Sequence, residues 1–169
     1  EVMYEGYGPK GTAIIVEALS DNKNRTVSDV RHTFSRHGGN LGADGSVAWM
    51  FSRKGYLTVT PGDKDPDEVA LTAIDAGAED VEVSDGTVEI YTAPEDLKKV
   101  QEVLVEASLA VEDAQIIWKP QTTMSLDDRA AFQTMKLIES LEELDDVQTV
   151  YSNLDINDEL MAKYEAEAA

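Results

Sequence analysis

Val81-Glu82-Val83-Ser84-Asp85-Gly86-Thr87-Val88-Glu89-Ile90 reads as two short strands joined by a tight turn. Val81 and Val83 alternate with acids, and Val88 and Ile90 alternate with polar residues. Asp-Gly between such runs is a strong hairpin signal, because a type I′ turn needs positive φ at both central positions. Upstream, Asp65-Pro66-Asp67-Glu68 has the marks of a helix start. It offers a capping carboxylate, a proline at the first helical position and acids facing the positive end of the dipole. Val69, Ala70, Ala73 and Ile74 are its predicted inner face, and Gly77 its end. Downstream, a helix is predicted from Pro94 to Leu109, with Leu97, Val100, Leu104 and Ala107 inward. A strand at Tyr56 to Thr60 precedes this set and one at Ala114 to Lys119 follows it. The order β-α-β-β-α-β is the split pattern of a ferredoxin-like fold.

Outside that unit the same signals recur. Thr12 to Ala18 is β-branched, apolar and bounded by glycine and by Ser20-Asp21-Asn22, as a buried strand would be. A helix is predicted from Thr26 to His37, with Val27, Val30 and Phe34 as its apolar stripe and Gly38 as its cap. Ser46 to Phe51 reads as a further strand. Ser125 is the predicted N-cap of a helix with Phe132, Met135, Ile138 and Leu141 inward. A strand at Val147 to Tyr151 and a helix at Asn157 to Ala166 close the chain. The fold class is α+β, with two ferredoxin-like (α/β plait) units, one inserted in the other. The expected division is a discontinuous domain of residues 1–55 plus 122–169 and an inserted domain of residues 56–121.

Composition narrows the function. The 169 residues are 42% apolar and contain no cysteine, which removes disulfides, thiolate metal sites and thiol chemistry. No apolar run approaches the roughly 18 residues of a membrane span. The chain starts at Glu1, without an initiator Met, and runs straight into a motif, which reads as a fragment or as a protein that has lost an N-terminal portion. The net charge of −20 is unevenly placed: residues 1–55 sum to +1 and the remainder to −21. Since phosphate contacts dominate nucleic-acid affinity, any such ligand is expected near residues 1–55.

Those residues hold the distinctive segments. In Tyr4-Glu5-Gly6-Tyr7-Gly8-Pro9-Lys10-Gly11 the glycines serve either a tight turn or backbone amides open to an anion. The loop is not a P-loop, because the lysine–hydroxyl ending is missing. Tyr4 and Tyr7 are either core anchors or stacking groups. On the following helix Arg31 and His32 lie off the apolar stripe, flanked by Arg25 and Arg36, with His37 at the end. His32 and His37 are about 140° apart on a helical wheel, so they cannot share a metal ion. The segment His37-Gly38-Gly39-Asn40-Leu41-Gly42 is either a flexible loop or a backbone that a partner approaches closely. No catalytic constellation, metal site or cofactor site is identified. The expected partner-binding residues are Tyr4, Gly6, Tyr7, Gly8, Lys10, Arg25, Arg31, His32, Arg36, Gly38 and Gly39.

Tyr4 to Pro9, Asn24-Arg25-Thr26, Val30-Arg31, Phe34, Gly38-Gly39, Leu41-Gly42, Gly45-Ser46-Val47 and Val150-Tyr151-Ser152-Asn153 together resemble the YebC family, also called PmpR or TACO. The resemblance implies a three-domain protein of which this chain would be the second and third domains, the basic N-terminal domain being absent. It implies a non-enzymatic regulator of gene expression. Such a protein would bind DNA in transcriptional regulation, or RNA and the ribosome in translational activation, in the cytoplasm or, for a eukaryotic relative, the mitochondrion. The alternative from another class is a small-molecule-sensing regulatory domain with paired ferredoxin-like units.

Overall fold

The computed structural model describes residues 1–168. The chain separates into two compact units, residues 1–52 with 120–169 and residues 53–119. Each is built around its own four-stranded sheet. The divisions fall at 52/53 and 119/120, whereas the sequence had suggested 55/56 and 121/122.

The 53–119 unit follows its sequence pattern closely. Strand β4 (Phe51–Thr60) leads into helix α2 (Pro66–Ala76), the hairpin β5 (Asp80–Ser84) and β6 (Thr87–Thr92), helix α3 (Leu97–Glu106) and strand β7 (Ala110–Pro120). Asp85 and Gly86 both have positive φ, 50° and 77°, as the hairpin turn requires. The sheet order β5-β6-β4-β7 places the unit's second, third, first and fourth strands side by side, the ferredoxin-like arrangement. Leu57, Val59, Val69, Ala73, Val88, Ile90, Val100 and Leu104 form its core.

Two expectations fail here. Ile74 is 46% exposed, and Ala76 is buried in its place, because α2 turns a narrower face inward than its apolar content suggests. Arg53-Lys54-Gly55, which lies between the strands expected at Ser46 to Phe51 and Tyr56 to Thr60, is part of β4. A β-carbon at Gly55 would sit 3.0 Å from Leu97 Cβ, so this glycine admits α3 against the strand.

The other unit contains β1 (Val2–Tyr7), β2 (Ala13–Ala18), α1 (Lys23–Arg36), β3 (Asn40–Leu41), α4 (Asp128–Glu142), β8 (Val147–Ser152) and α5 (Asp158–Ala168). Its sheet order is β3-β1-β2-β8. Matched against the first unit, β2 takes the first strand's place, β3 the second, β1 the third and β8 the fourth. The third strand therefore comes from the start of the chain, and residues 53–119 interrupt the chain where that strand would have stood. The adjacent strands are antiparallel, with Tyr4 opposite Val16, Ile15 opposite Tyr151 and Gly6 opposite Leu41.

The segment from Tyr4 to Tyr7, expected as loop, is thus an interior strand, and only Pro9–Gly11 forms a turn. Of Ser46 to Phe51, expected as a strand, residues 46–50 are a loop ending in a 3-10 turn at Ala48–Met50, and Phe51 alone is in a strand, as the first residue of β4. Its amides are engaged elsewhere, as described below. Helix α1 starts at Lys23 because Asn22 accepts from Arg25 N at 3.1 Å. Helix α4 is capped by Asp127, which accepts from Ala130 N at 2.8 Å, rather than by Ser125. Ile14, Val16, Val30, Phe34, Leu137 and Leu141 fill the space between sheet and helices, and α5 covers Ala131 and Met135 through Leu160 and Tyr164.

Gln121 N donates to Met50 O at 2.9 Å, so the two chain segments flanking residues 53–119 run together. Joining Ser52 to Pro120 through a short glycine linker should leave a folded protein with protected amides in both β2 and β8, read by amide exchange. Loss of protection in β8 alone would show that the discontinuous unit does not stand by itself. Phe34 is fully buried, so Phe34→Ala should cost about 3–5 kcal/mol in urea unfolding.

Candidate functional site

The side chain of Phe34 organises this end of the molecule. A β-carbon on Gly6 would lie 2.8 Å from the Phe34 ring, and one on Gly39 would lie 3.2 Å from it. The same β-carbon on Gly39 would also collide with Tyr7 O. Gly39 N donates to Phe34 O at 2.8 Å, closing the end of α1. These two glycines let the ring reach the strand pair, so both have an internal packing role. Gly8 is buried against Ile14, with its N–H donating to Thr12 O at 2.7 Å. Gly38 has φ of 79°, and its missing β-carbon would lie 2.5 Å from Gln133 Nε2.

The two tyrosines point to opposite faces of β1. Tyr4 packs on the helix side against the core of Ile14, Val16 and Phe34, and burial, then Asp146, raises its phenol pKa. Tyr7 faces the other side, and its hydroxyl donates to Ser46 O at 3.1 Å. Glu5 shares that side and is 3% exposed. Its carboxylate accepts from Gly45 N at 2.6 Å, Val47 N at 3.0 Å and Ala48 N at 2.7 Å. A buried charge needs such partners, and in supplying them the loop of residues 42–48 becomes fixed. Those amides are unavailable to a sheet, which is why Ser46 to Met50 does not form a strand. Trp49 projects from this loop, 68% exposed, with its Nε1 donating to Ser46 O at 3.0 Å.

The cations divide into two groups. Arg25 lies at the start of α1, where Nη2 meets Asp146 Oδ2 and Asp21 Oδ1, both at 3.0 Å. These contacts raise its pKa further, while the Thr26 hydroxyl, then Arg25, lowers that of Asp146. Arg25 therefore ties α1 to the turn before β8. It stands about 16 Å along the helix axis from Arg36, at about 1.5 Å per residue. Arg31 and His32 are exposed. Arg31 is about 140° around the helix from Arg36, whereas His32 shares the Arg36 face.

The second group gathers where α1 ends. Gln133 Nε2 donates to His37 O at 3.2 Å, bridging α4 to the end of α1. Lys10, Asp127, Arg129, Ala130 and Gln133 line a notch of about 410 Å³. Arg129, Gln133 and Lys136 follow one another along one face of α4. Burial, then Arg36 and Lys136, lowers the His37 pKa, which places both cations near the imidazole. Among the described residues Lys10, Arg36, Arg129 and Lys136 make no salt bridge. Of the expected site residues, Lys10, Arg36, Gly38 and Gly39 are brought together here. Arg129, Gln133 and Lys136 join them unforeseen, because their segment lies about a hundred residues away amid acids. Their helical i, i+4, i+7 spacing was the available signal.

No group of three or more His, Asp or Glu among the described residues is arranged to hold a metal ion. No described helix is long and apolar enough to cross a membrane.

Two ferredoxin-like units, one interrupting the other, define a double-plait protein. The family model described as TACO1/YebC second and third domain matches residues 1–154. A relative from Dehalococcoides mccartyi strain CBDB1, named a probable transcriptional regulatory protein, is 48% identical over 168 residues, covering 99% of this chain and 67% of its own length. One of the same name from Chloroflexus aurantiacus strain J-10-fl is 49% identical over 168 residues, covering 98% and 67%. The crystal structure of a conserved hypothetical protein, Aq1575, from Aquifex aeolicus matches with a TM-score of 0.87 at 48% identity, covering 94% of this chain and 65% of that one. The chain belongs to the TACO1/YebC family and spans about two thirds of the length of these relatives.

Glu5→Gln keeps the shape but removes the charge that three amides share, and should cost about 1–3 kcal/mol in denaturant unfolding. An unchanged midpoint would mean the loop does not depend on it. The folded His37 imidazole takes up a proton less readily than the unfolded one. Its contribution to stability is therefore present above the ordinary histidine pKa of about 6.5 and is lost as pH falls below it. Lys136→Ala should raise the His37 pKa in an NMR titration, and an unmoved titration curve would place Lys136 away from the imidazole.

Proposed function

We propose that this chain is the partner-binding portion of a non-enzymatic regulator of gene expression, which contacts nucleic acid, free or within the ribosome, through the basic face at the end of α1. The observation that carries this reading is the gathering of Lys10, Arg36, Arg129 and Lys136, none of them in a salt bridge among the described residues, in a chain of net charge −20. An acidic protein supplies counter-charges readily, so cations left unpaired together point to an anion from outside. The relatives' name, probable transcriptional regulatory protein, is in keeping with such an anion being DNA or RNA. The surrounding acidity limits what this chain does alone. Phosphate contacts dominate affinity, and a rigid duplex laid across the protein would meet repulsion beyond the basic face. A basic N-terminal domain would add the missing attraction, as the family resemblance implies.

The test is co-sedimentation with ribosomes together with oligonucleotide binding at several salt concentrations. Arg36→Ala combined with Arg129→Ala should weaken whichever association is observed, while changing unfolding free energy by no more than about 0.5 kcal/mol, since both side chains are exposed. If the double variant unfolds, these arginines are structural. If the native chain associates with neither ribosomes nor oligonucleotides, the proposal is refuted.

A further inference from the structure

Lys10 holds a left-handed backbone conformation, with φ of 61° and ψ of 19°. A residue with a β-carbon is strained there, and glycine would not be. Its side chain is exposed and makes no salt bridge among the described residues, so no ion pair there accounts for lysine at this position. What the side chain does is line the notch of about 410 Å³ with Arg129 and Gln133. Asp127, the acid in that notch, accepts from Ala130 N at 2.8 Å through Oδ1, which ties it to the start of α4 while its negative charge remains. Gln133 approaches with an amide already donating to His37 O, and Arg36 and Lys136 stand beyond it around His37. The notch thus offers two cations against one carboxylate, with a side-chain amide and the two further cations near His37 beside it, so its balance is positive.

We infer that this notch seats one backbone phosphate of a single-stranded nucleic acid, with Lys10 and Arg129 pairing with its non-bridging oxygens. The inference rests on the nucleic-acid reading above and deepens it. A flexible strand can lower one phosphodiester into a concave site and lead the rest of its charge away. A duplex carries a charge about every 1.7 Å along a stiff axis and cannot do so without facing the acidic surface. RNA and single-stranded DNA share the phosphodiester, so the probes include both.

Fluorescence anisotropy of labelled oligouridylate, oligothymidylate and a duplex of equal length against the 169-residue chain tests the seat. Lys10→Gly relieves the backbone while deleting the cation, so its melting temperature should equal or exceed that of the native protein. Binding of the single strands should fall about threefold in Lys10→Gly and about tenfold when Arg129→Ala is added, with the salt slope reduced by about 0.7 for each lost contact. Lys23→Ala, which removes one positive charge at the other end of α1, should bind within about twofold of the native chain. Equal loss in Lys23→Ala would reduce the effect to net charge and overturn the seat. Undiminished binding by the Lys10 and Arg129 double variant would overturn it while leaving the nucleic-acid reading intact. A marked fall in the melting temperature of Lys10→Gly would make Lys10 structural, and tighter binding of the duplex would overturn the single-strand assignment. A native chain that binds none of the three probes overturns the seat, and if it also fails to sediment with ribosomes the broader reading falls with it.

Discussion

The contact between the Phe34 ring and the bare backbone of Gly6 and Gly39 is the constraint on which this end of the structure depends. It sets how closely α1 lies on β1 and β3, and so where α1 stops. A methyl group at either glycine would push the ring outward, and dense protein interiors leave little room for such a shift. The stopping point matters because Arg36, His37 and Gly38 follow directly. Their meeting with Gln133 and Lys136 of α4 is a consequence of that packing, and Arg36, Arg129 and Lys136 of the basic face are thereby held on two packed helices, with Lys10 on the turn Pro9–Gly11. Sites held on regular elements are positioned more reproducibly than sites carried by loops.

Glu5 plays a corresponding part on the opposite face of β1. A carboxylate with 3% exposure would be costly without partners, and it finds them in the amides of Gly45, Val47 and Ala48. One charge thus fixes a loop that has few apolar anchors of its own. Tyr7, on the same face, adds a hydroxyl contact to that loop through Ser46 O. β1 therefore serves the core with Tyr4 and Gly6 and the loop with Glu5 and Tyr7. That double duty explains a sequence poor in the β-branched residues usual in a strand.

The division of arginines follows from the same geometry. Arg25 stands where α1 begins, beside Asp146, and a charge pair there ties the helix to the approach to β8. Arg36 stands where α1 ends, near His37, and makes no salt bridge among the described residues. Two residues of one type on one helix face thus have different surroundings, and the difference lies in what α4 and its following turn bring near each of them.

The sequence by itself determined the β-α-β-β-α-β unit, because every cue there is local: the Asp65 cap, the Asp85-Gly86 turn, and alternation that matches its own strand. It also marked Lys10, Arg36 and Gly38 as unusual, and it placed the chain in resemblance to a family that the comparisons then showed. It did not reveal β1 as a strand, because Gly6 and Gly8 read as loop until a ring from α1 is seen to require them. It misread residues 46–50, because the group that claims their amides, Glu5, lies some forty positions away. It missed Arg129, Gln133 and Lys136, because their nearness to Lys10 and His37 exists only once α4 packs beside α1. Local chemistry is written in neighbouring residues; a shared site between distant segments is decided by which backbones can approach, and only the folded chain settles that.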